Sequence, residues 1–593
     1  MNRFLVFTGL LIGLSVFTWG QTPTGAIEGS VNDPSGAVIP GAVVSITEQA
    51  TGRNLVQTAN AEGLYSVRNL LPGLYTVKVT APGFATSETK DIVVNSGAVV
   101  GVNPKLEIGK TGDVVEVSAQ AVTVDTARQT VDTVIQSKQI KDLPLFSRNF
   151  LDLAALAPGV IVRDGNSIDP TKTFAYRAVG VDGRSGTGTR VQIDGIDVTD
   201  EMVGTTTANI STEAVNQFQL TRSSLDISTS LTSSGAVNII TNSGTNDLHG
   251  SWFFDYYNQD LGARLAYQPT ASAFDRKRTG GSVGDKLIKD KLFWFVNWER
   301  TWQTTQSVAT VGFPFNAYSV VQPFPTKVQD ALGRLDWNLS QGARLFYKFQ
   351  HDDNLATGGG ALSPYQNLDW TNVHTLGLDF AKSHATNAIR FGYTNFNNQI
   401  ASQELETKFL RVNGTPLRLA VGPLTYEPNT LAPQATFTDN YQLSYDGSYV
   451  KSRHTFRYGG SFNHQKLGGY ADFANWLSVS GTYDAGTLAN LQAAGVNVND
   501  PMNYPLSSFG TGSPFGFSNL AGCHNLEHGC HKNNRIAFYG GDSIKVTPRL
   551  TLNFGIRVEH DTGYFNNDKS VQRLSILSVY GKDYSDFPNA PTL

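Results

Sequence analysis

Alternation is the feature that most limits what this chain can fold into. In LFWFVNWER (292–300), Leu292, Trp294, Val296 and Trp298 fall on one face, and Phe293, Phe295, Asn297 and Glu299 on the other. In ARLFYKFQH (343–351), Leu345, Tyr347 and Phe349 lie opposite Arg344, Lys348 and Gln350. In RLTLNFGIRVEH (549–560), Leu550, Leu552, Phe554, Ile556 and Val558 oppose Thr551, Asn553, Arg557 and Glu559. A period of two belongs to a strand, because successive side chains leave opposite faces of the pleat. Strands of about 9–11 residues, greasy on one side and polar on the other, suit a membrane β-barrel. They also suit a large antiparallel sheet with one solvated face.

The remaining bulk properties agree with a β-rich chain. At 593 residues it needs several modules. Charged residues are only 16%, aromatics reach 11%, and there are 58 glycines. A net charge of −4 with no basic stripe argues against a nucleic-acid partner. Two cysteines cannot make a disulfide framework. At the N-terminus, Arg3 precedes the apolar run FLVFTGLLIGLSVF (4–17), and Thr18 and Gly20 occupy the −3 and −1 positions of a cleavage before Gln21. This is the pattern of a secretory signal peptide over residues 1–20, and the run is short for a membrane anchor. No long apolar run follows, so the expected destination is the periplasm, the exterior, or an outer membrane crossed by strands.

Between Gly25 and Glu107, AIEGSV, GAVVSIT, RNLVQT, GLYSV, GLYTVKVT, FATSETKDIVV and AVVGVNPKL read as seven short strands, divided by DPSG, NAEG, LPG and APG. That spacing predicts a small β-sandwich. The segments GSVNDPSGAVIPGAVVSI and GLYSVRNLLPGLYTVKVTAPGF resemble the carboxypeptidase-regulatory-like, transthyretin-like domain, which implies a non-catalytic module over residues 25–107.

A join at 108–121 follows. Within it DVVEVSA (Asp113, Val114, Val115, Glu116, Val117, Ser118, Ala119) alternates like a strand, yet it has no obvious partner strand on either side. The plain reading is one more sandwich strand or a connecting strand.

From about residue 122 the texture changes. Ser137 is a candidate cap for a helix over SKQIKDL, and Phe150, Leu153 and Leu156 recur at helical spacing until Pro158-Gly159. RVQIDGIDV (190–198) carries Asp194-Gly195, a hairpin-turn signal, and residues 200–236 are rich in Thr, Ser and Asn. LPLFSRNFLDLAALAPGV, VQIDGIDV and GAVNIITNSGTN, in that order, resemble the plug domain of TonB-dependent outer-membrane receptors, most of all the Oar-like branch with a regulatory-like sandwich in front. The plug motif then falls on Asp194, Gly195, Gly235 and Asn238.

This resemblance chooses between the two sheets left open above, because a plug needs a barrel around it. The expected fold is mainly β: a seven-stranded sandwich, a small mixed α/β plug (122–247) with a polar outer surface, and an antiparallel transmembrane barrel (248–593). Plugged barrels of this kind use 22 strands, whereas about a dozen alternating segments are visible, so the barrel is expected to be incomplete. NNRIAFYGGDSIKVTPRLTLNFGIRVEH (533–560) resembles a hairpin of the same receptors, with a periplasmic turn at Thr547-Pro548. By alternation the long stretch at about 465–532, read as irregular, is extracellular.

The resemblance also implies partners and activity. TonB and its inner-membrane energising complex would pull on an extended segment before the plug, and DVVEVSA looks like that TonB box, able to add to a sheet edge by main-chain hydrogen bonds. The implied function is ligand binding at the cell surface and energised import across the outer membrane, with outer-membrane lipid around the barrel, the sandwich in the periplasm, and the ligand unidentified. The alternative is a surface adhesion or structural protein of the same architecture without active transport.

Other chemistry is weaker. CHNLEHGCH (523–531) holds Cys523, His524, His528, Cys530 and His531. A Cys523–Cys530 disulfide on an oxidising surface is the preferred reading, with a histidine metal site as the other. His524 and Glu527 match the H-x-x-E of zinc carboxypeptidases, but they lie in a predicted outer loop with no third ligand, so no enzyme and no cofactor is expected. No phosphate loop, nucleophile elbow or dinucleotide fingerprint appears. HDDN (351–354) reads as the solvated end of a strand, and the Trp and Tyr residues as interfacial girdles.

Overall fold

The computed structural model describes residues 24–562 except 110–113, 119–129, 144, 146, 170–171, 174, 185, 201–202, 225–226, 231, 233, 264–272, 403–410, 413–414, 472–475, 512–530 and 548–549. The proposed signal segment and Pro548 therefore lie outside the described residues.

The seven strands expected at the N-terminus form two facing sheets. One orders Leu64–Leu70, Gly25–Ser30 and Val99–Gly101; the other orders Asn54–Thr58, Val43–Glu48, Gly73–Thr80 and Thr86–Val94. Alternation decides the faces: Tyr75, Val77 and Val79 point into a core with Ile27, Val44 and Ile46, all buried.

The second sheet does not end at Thr86–Val94. Val114–Ser118 adds to it in parallel, with Val114 opposite Thr86 and Ser118 opposite Lys90. The expectation that this strand lacks a partner is thus corrected. Its partner lies more than twenty residues back in the chain, and a parallel pairing leaves no turn signature in sequence.

The plug is built on a five-stranded sheet ordered Ile196–Asp197, Thr189–Ile193, Gly235–Thr241, Val215–Ser224, Thr130–Gln136. Its central pair, Thr189–Ile193 with Gly235–Thr241, is parallel. A two-stranded sheet, Val160–Asp164 with Arg177–Val181, stands beside it.

Two local expectations change. The helix Ser137–Asp142 is capped by Gln136, not Ser137, because the preceding strand runs straight into it; the Gln136 amide donates to Gln139 Oε1 at 3.1 Å. The segment Phe150–Leu156 is a 3₁₀ helix. With three residues per turn, i and i+3 eclipse, so Phe150 and Leu153 are fully buried together while Leu156, at the far end, is 48% exposed. Asn149 caps it, accepting from the Leu151 amide at 2.9 Å.

Eleven antiparallel strands make the large C-terminal sheet. They are His249–Asn258, Phe274–Ile288, Leu292–Ala309, Val320–Ser340, Ala343–Gly360, Ser363–Lys382, Ala385–Ser402, Gln434–Lys451, His454–Ala471, His531–Thr547 and Leu550–Asp561. The first and last do not pair, so among the described residues the sheet is curved around the plug but not closed.

The faces follow the alternation. Val296 and Trp298 are exposed, while Phe293, Phe295, Asn297 and Glu299 are buried, Phe295 and Glu299 of them against the plug. Strands run to 21 residues, longer than the 9–11 predicted. Only that predicted span is needed to cross hydrocarbon, and the rest carries the sheet beyond it.

One end of the sheet has tight turns, at which Asp290, Ser383 and Ser452 adopt positive φ of 59°, 53° and 54°. Short turns mark the periplasmic end of an outer-membrane barrel. The sandwich sits there: Ser452 Oγ donates to Glu62 at 2.7 Å, and Asn60 Nδ2 donates to the Ser452 carbonyl at 2.9 Å.

The opposite end is not irregular as expected. Within 465–532, Leu477–Gly481, Leu506–Thr511 and the helix Ala485–Ala493 are ordered elements. Leu477–Gly481 pairs in parallel with Thr415–Val421 of another loop. Val311, Phe315, Leu419, Val421, Leu424 and Tyr504 give these loops an apolar core of their own. Single loops too polar to bury a core alone acquire one by sharing.

Candidate functional site

The Asp194-Gly195 turn is where sequence and function meet. Both residues have positive φ, 51° and 85°, as a tight two-residue hairpin requires, and Ile193 pairs with Ile196 across it. Turn formation explains the glycine. It does not explain why the Asp194 side chain is buried.

The carboxylate is held from both sides of the plug–barrel seam. From the plug, the Thr241 amide donates at 3.0 Å and its hydroxyl at 2.7 Å. From the barrel, Lys348 Nζ lies at 2.7 Å and an Arg334 guanidinium nitrogen at 3.3 Å. Burial on its own would raise the Asp194 pKa, but Lys348 and Arg334 outweigh it and hold the group well below the usual carboxylate range.

The charges continue along the inner wall. Arg334 pairs with Asp336 at 2.9 Å, Asp336 with Arg344 at 2.6 Å, and Asp379 with Arg390 at 2.6 Å. The guanidiniums of Arg334, Arg344 and Arg390 gather over the Phe346 ring at 4.5, 5.2 and 4.9 Å, an arrangement that suits planar cations on an aromatic face. The alternation had put Arg344 and Lys348 on the polar face; their partners, from other strands, were not visible to it.

Beside the turn the plug grips the wall in two neutral ways. Gln442 accepts from the Asp197 amide at 2.9 Å and donates to its carbonyl at 2.6 Å. Gly392 faces Ile196 so closely that a Cβ there would lie 2.6 Å from Ile196 Cδ1. The seam is also partly apolar, where a polar plug surface was expected: Phe295, Leu332 and Val373 of the wall join the plug core around Phe218 and Ile239.

The other plug-motif residues serve the sheet. A Cβ on Gly235 would lie 2.8 Å from the Thr221 carbonyl oxygen, so only glycine fits. Asn238 is half-buried, between Gln192 and Gln219 in the ladder. Gln219 in turn accepts from Ser96 Oγ of the sandwich at 2.8 Å, and Gln217 Nε2 donates to Asn95 Oδ1 at 2.9 Å. This polar row docks the sandwich on the plug.

Several predicted residues fall elsewhere. Of the TonB-box-like segment, Val114–Ser118 forms the edge strand described above; Asp113 and Ala119 lie outside the described residues. So do Cys523, His524, His528 and Cys530. His531 opens the strand His531–Thr547, opposite Leu467. HDDN is not a solvated strand end: it lies within Ala343–Gly360, where Asp352 and Asn354 are buried. Asp352 accepts from the Tyr176 hydroxyl at 3.2 Å and from the Asn209 amide at 3.1 Å. The plug thus takes up both oxygens of the Asp352 carboxylate.

A cavity of about 390 Å³ opens between plug and wall on the side away from the tight turns, lined by Arg148, Arg177, Arg276, Arg278, Glu299 and Asp330 among others. Arg148, at φ +57°, pairs with Glu213 within the plug at 2.8 Å and reaches across the seam to Glu299 at 3.5 Å. Burial would raise Glu213, but hydrogen bonds from Ser251 and Arg148 hold its pKa down. Sequence reading missed this chamber. Its signal was DRKR (275–278), where period-two alternation puts Arg276 and Arg278 on one face.

A sheet greasy outside and charged inside, corked by a domain salt-bridged to its wall, is the architecture of a plugged outer-membrane β-barrel. The outer membrane beta barrel domain matches residues 240–319 and 310–578, and the carboxypeptidase regulatory-like domain matches residues 26–107. The chain belongs to the outer-membrane β-barrel family, carries an N-terminal carboxypeptidase regulatory-like domain, and resides in the outer membrane of Gram-negative bacteria. It is 24% identical over 334 residues to the TonB-dependent transporter Oar of Myxococcus xanthus, covering 52% of this chain and 30% of Oar. Among solved structures it resembles the outer membrane transporter YddB of Escherichia coli, with a TM-score of 0.51 at 13% identity, covering 73% of this chain and 56% of YddB. A mutant of the ferric enterobactin receptor PfeA of Pseudomonas aeruginosa gives 0.47 at 14% identity, covering 73% and 58%. The chain thus spans less than a third of Oar and little more than half of YddB.

Proposed function

We propose that this protein binds an extracellular ligand and admits it to the periplasm when TonB, driven from the inner membrane, pulls on the segment 113–119. The observation that carries this reading is the Asp194 junction. A plug bonded to the wall through buried charges blocks passage until work is done on it, and breaking such pairs leaves uncompensated buried charge. No nucleotide or ion gradient is available at the outer membrane, so the work arrives mechanically. Strand addition suits that task, because main-chain hydrogen bonds loaded together resist shear and depend little on side-chain identity. The chamber beside Arg148 is the place where ligand meets plug and wall together.

Deleting residues 113–119 tests the reading. Ligand uptake by cells should stop while ligand binding at the surface persists. Uptake continuing at the original rate would remove the coupling role from this segment. Surface binding with no energised uptake in the parent protein would leave an adhesion protein of the same architecture.

A further inference from the structure

The strand Val114–Ser118 is neither loose nor enclosed. It is the terminal strand of the sandwich's second sheet, paired on one side with Thr86–Lys90 and with no strand on its other side among the described residues. In a parallel ladder each residue directs its amide and carbonyl to one side, and the next residue to the other. Pairing with Thr86–Lys90 therefore uses one alternating set of main-chain groups in 114–118. Among the described residues no strand takes up the other set, and an edge of this kind recruits a further strand.

We infer that the sandwich is the presenting platform of the coupling strand: it holds residues 114–118 extended with one edge open, and a strand of TonB adds to that edge without displacing Thr86–Lys90. The inference rests on the coupling role proposed above and goes beyond it by giving the sandwich a task. An unpaired strand would have to be ordered on binding, and that ordering weakens association. Here the ordering is already done by the fold. The sandwich is in turn tied to the plug through Ser96–Gln219 and Asn95–Gln217 and to the tight-turn end of the barrel through Glu62–Ser452. The platform is thus held on the same assembly that the pull must open.

Residue-resolved amide exchange on the full chain in detergent, with and without the periplasmic domain of TonB, tests this. Before TonB is added, one alternating set of amides in 114–118 should be protected and the other should exchange freely. Addition of TonB should protect the second set, while the amides of 86–90 keep their protection. The full chain should also bind TonB at least about tenfold more tightly than a synthetic peptide of residues 113–119, since the peptide must be ordered on binding. Loss of protection at 86–90 on TonB binding would show displacement and overturn the inference while leaving the coupling role intact. Uniform fast exchange over 114–118 in the free protein would overturn it as well. If TonB bound neither the full chain nor the peptide, the coupling role itself would fall.

Discussion

The plug touches two neighbours, and the two seams are built from different chemistry. Against the barrel wall it uses buried charge: Asp194 between Lys348 and Arg334, continued by the Asp336–Arg344 pair. Against the sandwich it uses neutral amides and a hydroxyl, Ser96 with Gln219 and Asn95 with Gln217. A neutral hydrogen bond exchanged for water costs little, whereas a desolvated charge parted from its counterion costs several times more. The wall seam therefore costs more to part than the sandwich seam. Under the proposed function, in which the plug stays shut until pulled while the sandwich keeps the coupling strand in reach, that contrast serves both ends.

The largest effect should come from Asp194→Asn, which leaves Lys348 and Arg334 facing a neutral amide. Calorimetry of the detergent-solubilised protein should show a loss of about 3–5 kcal/mol in plug stability. The same carboxylate sets a pH dependence. Its folded pKa is depressed, so its contribution is complete above the ordinary carboxylate range and declines as pH falls below about 4 towards the folded value. The parent protein should lose melting temperature in that acid window, and the Asp194→Asn variant should lack this carboxylate's share of the slope.

A smaller effect is expected from Gly392→Val, where the new side chain meets Ile196 Cδ1 at the seam. Overpacking should cost about 1–3 kcal/mol, read in the same calorimetric transition. Smallest is Ser96→Ala, which removes one neutral bond to Gln219. About 0.5–1.5 kcal/mol should be lost, seen as faster proteolysis of the sandwich with the barrel transition unmoved. A Ser96→Ala loss as large as that of Asp194→Asn would erase the distinction between the seams.

Much of this molecule was legible in the order of its residues. The alternation in 292–300 put Val296 and Trp298 on one face and Phe295 and Glu299 on the other, and the structure turns the first pair outward and the second inward. Asp194-Gly195 announced a hairpin turn and made one. HDDN was misread because a polar run looks the same whether it ends a strand in water or faces a plug. The 465–532 stretch was misread because its core is assembled from several loops, none of which is apolar enough alone.

The amino-acid sequence by itself determined which residues share a face, where the chain turns, and that lipid-facing strands would follow a sandwich and a plug. These are local matters of pleat period, turn dihedrals and side-chain polarity, written within a few consecutive residues. The tertiary structure alone decided which cations meet Asp194 and which edge receives Val114–Ser118. Those partners lie 140 and 154 residues away for Arg334 and Lys348, and no local pattern encodes a contact that exists only once the plug sits inside the wall.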